Sequence, residues 1–358
     1  MFWESLIAAR DLGRLRDIVS VLVRYGFSDA VQRMGLASLM ESAGRLLRIK
    51  EPSDLPKLDT PQRIRFAMEE LGPTFVKLGQ ILSTRVDLFP PEWIAEFEKL
   101  QDRVPPVPFD KIRAQLTEDL DATPEEVFPY LETEPLAAGS IAQVHRARLN
   151  DGSEVILKIR RPDIRPVIEA DLRLLARVAE IAENEIEELR HFHPKEVVRQ
   201  FTLSLRRELD LISECQHMER IAGNFQDNPN IVIAKIYWQW TCERLNVQSF
   251  LQGIPGRELD AVEEAGLDRK ILAQHGANAV LKMVLEDGFY HADPHAGNVL
   301  YLPDNHIAFL DFGMVGHLSE VRREQIIDLL NGMVNKDVTE VTEVLLSWAS
   351  DTLSLIHI

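Results

Sequence analysis

The sequence predicts an α+β chain of two lobes with a cleft between them. Three observations predict it: a helical opening, a change to short strands near residue 133, and a return to helices after about residue 253. Residues 1–130 read as mostly helical, punctuated by Pro52, Pro56 and Pro61. One helix is expected over about 61–71, stopped by Gly72-Pro73, and a second over about 74–87, stopped near Pro90-Pro91. A further amphipathic helix follows the loop of Pro105, Pro106 and Pro108, over 110–120. Segments 135–138, 141–149 and 154–159 are strand-like, and Asn150-Asp151-Gly152 marks a hairpin because Asn, Asp and Gly tolerate positive φ. Residues 165–189 read as a helix that becomes acidic at its end, and 194–222 as one long helix stopped by Gly223-Asn224. Strands return over 231–252, a helix over 267–286, and a short hairpin over 299–310 turning at Pro303-Asp304-Asn305. The remainder reads as helix. The expected domains are a helical extension (1–130), a strand-rich lobe with inserted helices (131–252) and a helical lobe (253–358).

Composition narrows the function classes. The chain has 358 residues, 45% hydrophobic and 27% charged, which excludes a disordered tail, a collagen-like repeat and a disulfide-stapled miniprotein. A formal net charge of -17 would repel a phosphate backbone, so nucleic acid is not an expected partner. Cys215 and Cys242 have no metal-ligand spacing and read as reduced thiols in a cytosolic setting. Residues 1–10 do not resemble a secretory signal, and no run approaches the ~20 apolar residues of a spanning helix. The first 50 residues nonetheless carry eight basic against five acidic side chains. Leu12, Leu15, Val19 and Leu22 fall at helical spacing among Arg10, Arg14, Arg16 and Arg24. Such a helix either lies on an anionic membrane surface or packs on the domain behind it, and the second reading is preferred.

The densest chemistry is His291-Ala-Asp-Pro-His-Ala-Gly-Asn298, followed by Phe309-Leu-Asp-Phe-Gly313. In phosphoryl transfer one carboxylate orients or deprotonates the nucleophile, while an Asn and a second Asp hold Mg²⁺ against nucleotide phosphates. Asp293, Asn298 and Asp311 have the spacing of a protein-kinase-like catalytic loop and metal loop. His291 and His295 are four apart, but Pro294 and Gly297 break any helix that would align them as metal ligands, so a hydrogen-bonding role is expected. Upstream, Leu136, Ala137, Ala138, Gly139, Ser140, Ile141, Ala142, Gln143 and Val144 form a turn between strands, where small residues let backbone N–H groups approach a triphosphate. Lys158, on the strand after it, can reach the phosphates. Glu208, Asp210 and Glu214 cannot share one helix face, so one carboxylate is expected for Lys158 and the others for another cation; surface carboxylates are the plain alternative.

These residues resemble the UbiB family of atypical protein-kinase-like proteins linked to ubiquinone biosynthesis. The deciding segment is Lys77-Leu-Gly-Gln80, similar to the family's K-x-G-Q signature, and the likeness runs over about residues 10–340. It implies a bilobal protein-kinase-like fold with an N-terminal helical extension. The turn at 136–144 would cover ATP, Lys158 would contact its phosphates and pair with Glu214, Asp293 would be the catalytic base, and Asn298 and Asp311 would hold Mg²⁺. Lys77 and Gln80 would plug the space where ordinary kinases bind a peptide, held there by Glu208 and Asp210. The resemblance implies a kinase or ATPase at the inner-membrane surface, cytoplasmic and peripheral, with isoprenoid-quinone precursors or their biosynthetic complex as partners rather than protein substrates. An ATP-gated scaffold without phosphoryl transfer is the alternative from another class, and a small-molecule kinase is a third reading that gives Lys77 and Gln80 no role. Three departures stand out. Gly139 sits where the family's loop is often Ala. Val247-Gln-Ser-Phe250 replaces the usual Met-Glu hinge. Only 45 residues follow Gly313, so the second lobe reads as truncated, with spanning helices to follow in a full-length protein and a non-native end over 353–358.

Overall fold

Helices start where the sequence supplies caps. Asp59 and Gln62 form a reciprocal capping box at the head of the Thr60–Leu71 helix, and Gly72, at φ 98°, ends it and leads straight into the Pro73–Ser83 helix. Asp268 caps Arg269–Leu281 and Ser319 caps Glu320–Asn335 by accepting backbone N–H groups alone, without the reciprocal bond. A computed structural model describes residues 11–33, 58–86, 88–100, 104–185 and 187–350. Arg10, Pro52, Pro56, Asp87 and residues 353–358, which entered the sequence expectations, lie outside the described residues.

Three sheets are present among the described residues. The first runs Tyr130–Leu131, Ala142–Arg148, Glu154–Arg160, Leu245–Ser249, with Ala137–Ala138 added on Ala142–Arg148. The second runs Ile231–Ile233, His306–Phe309, Val299–Leu302, Ile254–Pro255. The third pairs Phe289–His291 antiparallel with Val315–His317, which is a strand in the stretch expected to be helical. The two expected hairpins form: Gly152 takes φ 88° after Asn150-Asp151, and Asp304 and Asn305 both take φ 59°. Another expectation fails. The single helix over 194–222 is two helices, Pro194–Glu208 and Leu211–Asn224, because Asp210 leaves the helical region and caps the second by accepting from the Ile212 N–H at 3.0 Å.

The chain divides into two compact units: Met1–Glu126, Leu131–His145 and Lys158–Leu209 make one, and Val127–Tyr130, Arg146–Leu157 and Asp210–Ile358 the other. In the first, Ile141, Ile164, Ile168, Leu172, Phe201, Leu205 and Leu209 form one core cluster. The Leu12–Arg24 helix is part of this unit. Its Leu15 and Val19 are buried with Val31 and Leu174, Arg14 pairs with the buried Asp171 at 2.6 Å, and Arg24 pairs with Glu70. Burying each of those aliphatic side chains is worth about 2 kcal/mol, so this face is spent inside the protein and the packing reading of the helix holds. The second unit is built around Cys215, Met218, Ile221, Phe225, Phe289, Ile307, Phe309 and Phe312. Its last two helices, Glu320–Asn335 and Val338–Ser350, present Val334 (81% exposed) and Val338 (75%) to solvent. No helix among the described residues is long and apolar enough to cross a membrane.

Candidate phosphoryl-transfer site

In the first unit the 136–144 segment is a tight hairpin. Ala137 pairs with Val144 and Ala138 with Gln143; the Leu136 N–H donates to Val144 O at 2.8 Å and the Gly139 N–H to Ala142 O at 2.9 Å. Its nine residues do not face one way. Leu136 is exposed, whereas Ile141 is an anchor in the core cluster and Gln143 is fully buried. The Gln143 amide is committed to the protein itself: Oε1 accepts from the Val107 N–H at 2.9 Å and Nε2 meets His145 Nε2 at 2.7 Å. The far ring nitrogen, Nδ1, lies 2.8 Å from Glu132 O and donates to it, which fixes the neutral tautomer with Nε2 as acceptor. Burial pushes the His145 pKa down, against weaker opposing effects of Glu132 and Glu134. Gly139 is not in the left-handed region, and a Cβ there would stand 3.2 Å from Ala142 O. Alternation along Glu154–Arg160 buries Val155, Leu157 and Ile159 and leaves Lys158 half-buried on the opposite face.

The K-x-G-Q segment lies on the Pro73–Ser83 helix of the same unit. Lys77 Nζ pairs with Glu208 Oε1 at 2.8 Å, and Gln80 Nε2 donates to Leu100 O at 3.1 Å. The glycine between them has a steric reason: a Cβ on Gly79 would lie 2.2 Å from Leu100 Cδ1 and 2.9 Å from Met68 Sδ. Leu100 therefore packs against the helix at a distance that only glycine allows, and the same residue receives the Gln80 amide. Nothing local in the sequence marks Leu100, which is 20 residues downstream.

In the second unit the loop after Phe289–His291 is knitted by its own side chains. The Asp293 N–H donates to His291 Nδ1 at 3.1 Å, and the Gly297 N–H to His295 Nδ1 at 2.9 Å. Both histidines thus hold backbone, in line with the expected hydrogen-bonding role. A Cβ on Gly297 would come within 2.6 Å of the His295 ring, so the cap requires glycine. Burial pushes the His291 pKa down, partly countered by Asp311 and Asp293. Its ring packs on Phe309 and Phe312, and its Nε2 is buried without a partner. Asn298 Nδ2 donates to Asp293 O at 3.1 Å, and Asn298 O accepts from the Leu310 N–H at 3.0 Å, so the loop is joined to the residue preceding Asp311. Asp311 Oδ1 accepts from the Gly313 N–H at 2.8 Å. The Asp293 carboxylate is 48% exposed, with Oδ2 3.7 Å from His295 Nε2. Glu214 is buried on the Leu211–Asn224 helix, while both carboxylate oxygens of Asp210 serve the head of that helix, toward Ile212 N and Ser213 Oγ.

This donor set fits Mg²⁺ and a nucleotide. With its nitrogen donated to Asp293 O, the Asn298 amide presents its oxygen, and Asp311 adds a carboxylate; both are the hard oxygen ligands Mg²⁺ takes. The small side chains at 137–139 allow close backbone approach to phosphate.

Residues 99–345 match the family model of the ABC1 atypical kinase-like domain. A probable protein kinase UbiB of Aliivibrio fischeri is 35% identical over 340 residues, covering 93% of this chain and 62% of that protein. One of Pseudomonas aeruginosa is 34% identical over 347 residues, covering 95% of this chain and 64% of its own length. The chain therefore spans under two thirds of these relatives. Among solved structures, the complex of Rv3197 with erythromycin from Mycobacterium tuberculosis matches with a TM-score of 0.56 at 20% identity, over 88% of this chain and 75% of that one. That likeness is one of fold, and the mixed helix-and-sheet architecture expected from the sequence is the kinase-like one.

Proposed function

The chain belongs to the ABC1 atypical kinase-like family, that of the UbiB proteins, and from that premise we propose that it binds Mg-ATP and transfers or hydrolyses the γ-phosphate in support of isoprenoid-quinone biosynthesis. The observation that carries this reading is the linkage of Asp293, Asn298 and the Phe309–Gly313 segment through two hydrogen bonds, 3.1 and 3.0 Å. In this reading that linkage would keep the base Asp293 and the metal ligands Asn298 and Asp311 within one loop and the hairpin that follows it.

In this reading the Asp293 carboxylate, pinned through its own N–H by His291, orients the attacking water or hydroxyl and takes its proton. Asn298 and Asp311 hold Mg²⁺, which neutralises charge on the phosphate oxygens when bound. The 136–144 turn approaches the phosphates with backbone, Lys158 contributes a cation to them, and Glu214 is its carboxylate partner. Lys77, Gln80 and Glu208 serve as the plug that excludes a peptide; Asp210, busy as a helix cap, has the weaker claim to that role. The membrane surface enters through the partner rather than through the Leu12–Arg24 helix, whose apolar face is occupied.

The test uses γ-labelled ATP with Mg²⁺, with and without anionic liposomes. Release of inorganic phosphate identifies an ATPase, and label in a lipid-soluble acceptor identifies a lipid-directed kinase. Asp293→Asn is expected to lower turnover by about 10²- to 10⁴-fold, the usual worth of a general base, while Mg-ATP binding stays within about twofold. Turnover retained in that variant overturns the assignment of the base. ATP binding without turnover in the wild-type chain leaves the ATP-gated scaffold as the function.

A further inference from the structure

In the second unit His217 stands on the Leu211–Asn224 helix, three residues after the buried Glu214, and reaches out of that helix to the Phe309–Gly313 segment. Its Nδ1 lies 3.1 Å from Phe312 O. A carbonyl oxygen only accepts, so Nδ1 carries a proton and donates it. The imidazole is braced against Phe289, with ring centroids 5.8 Å apart and planes tilted by 57°. The Arg220 guanidinium covers the same phenyl ring, its Cζ 4.0 Å from the centroid. Phe289 and Phe312 are buried in the core that also takes Cys215, Met218 and Ile221 from this helix. His217 is therefore a donor held in place by packing, and its target is backbone.

The same peptide unit is gripped at its other end. Phe312 O shares a plane with the Gly313 N–H, and that N–H donates to Asp311 Oδ1 at 2.8 Å. The described residues contain no cis peptide bond, so the two groups point in opposite directions, one toward the helix and one toward the Asp311 carboxylate. A planar unit held in this way cannot turn without breaking one of the two bonds. The approach is close: a Cβ on Gly313 would stand 3.0 Å from Asp311 Oδ1. With Oδ1 tied to this N–H, the direction of the carboxylate follows the direction of the 312–313 plane. The His291 ring also packs on Phe312, with centroids 5.1 Å apart, but ring packing leaves the peptide free to rotate. A hydrogen bond to its oxygen does not.

We propose that His217 is a positioning residue for the divalent cation: through the 312–313 peptide it sets the direction in which Asp311 offers its carboxylate. This rests on the reading of Asp311 as a metal ligand. His217 touches neither cation nor nucleotide; it holds what holds the ligand. Loss of such outer partners costs about 10- to 100-fold in metal affinity.

The test uses Mn²⁺, an oxygen-seeking ion whose free form is read by electron paramagnetic resonance, titrated into chain saturated with a non-hydrolysable ATP analogue. His217→Ala is expected to weaken Mn²⁺ by about tenfold or more. His217→Asn, whose amide nitrogen is as many bonds from Cα as Nδ1, is expected to stay within about threefold of wild type. His217→Gln sets its amide one bond further out, so it is expected to behave like Ala, and it carries the test if the Ala variant does not fold. On an Asp311→Asn background, His217→Ala is expected to add less than about twofold, because its effect runs through that carboxylate. Unchanged Mn²⁺ affinity in the Ala and Gln variants overturns the proposal, as does an Asn variant that loses as much as Ala. A full further loss on the Asp311→Asn background also overturns it, as the mark of a merely structural role. Asp311→Asn that binds Mn²⁺ as tightly as wild type, or a wild-type chain that binds none, removes the metal reading and this inference with it.

Discussion

His145 and His291 are both buried imidazoles, and both have their pKa pushed down chiefly by desolvation. For His145 the hydrogen bonds add a second reason: a proton on Nε2 would face the Gln143 amide that now donates to it. The unfolded chain takes up that proton near the ordinary value of about 6.5, whereas the folded chain resists until a lower pH. Below about pH 6.5 the unfolded state thus binds more protons, and stability falls as pH falls through that window. Urea midpoints are expected to drop between pH 7.5 and 5.5, and His145→Gln to make the slope shallower. Carboxylates held low by cations, such as Glu96 beside Lys99 and Glu169 beside Arg206, keep their full contribution above their ordinary value near 4.5 and lose it only below, so they do not blur the comparison. At this scale the sequence was most legible where chemistry is contiguous. Asp293, Asn298 and Asp311 lie within 19 residues, and their spacing alone brings them to one loop and hairpin. It was least legible at Gln143 and Ile141, read as ligand-facing; their partners Val107 and Phe201 are remote in sequence, and burial against remote residues leaves no local mark.

The break between Pro194–Glu208 and Leu211–Asn224 shows why one element was misread. Phe201, Leu205, Leu209, Ile212 and Cys215 continue a helical apolar rhythm straight across it, so periodicity reports one helix. The break is written only in Asp210, whose side chain competes for backbone N–H groups better than a helix interior tolerates. Asp210→Ala is expected to cost about 1 kcal/mol, the worth of a cap, read as a lower urea midpoint. If Asp210 also held the plug, the substitution would change nucleotide selectivity as well as stability. The strand Val315–His317 escaped for a different reason: three residues are too few to show an alternation. Gly316 in that strand lies where a Cβ would come within 2.1 Å of the Tyr290 ring, which gives this glycine a packing role and not a turn.

Across the whole molecule, the helical extension is covalently an appendage but energetically part of a domain. Arg14 bridges Asp171 and Leu71 O, Thr74 Oγ1 donates to the same carboxylate at 2.7 Å, and Arg173 pairs with Asp11. The fold class was readable from the order of helical and strand-rich stretches, but this fusion of the extension with the 137–145 hairpin and the 164–208 helices was not, because it depends on tertiary ion pairs. The terminal helix pair carries a different lesson. Val334 and Val338 flank the left-handed turn at Lys336, and Met333, Leu345 and Leu346 are exposed nearby. Exposed apolar side chains on one helix pair favour association, while a net charge of -17 opposes it by long-range repulsion. Because salt screens the repulsion and leaves the apolar attraction, the balance shifts with ionic strength. Light scattering of the purified chain is expected to rise with protein concentration in 0.5 M salt and stay flat in 0.05 M, and Val334→Lys with Val338→Lys to remove the rise. The terminal turn thus makes the buffer a variable of the experiment: binding constants measured in high salt would report on aggregates as much as on single molecules.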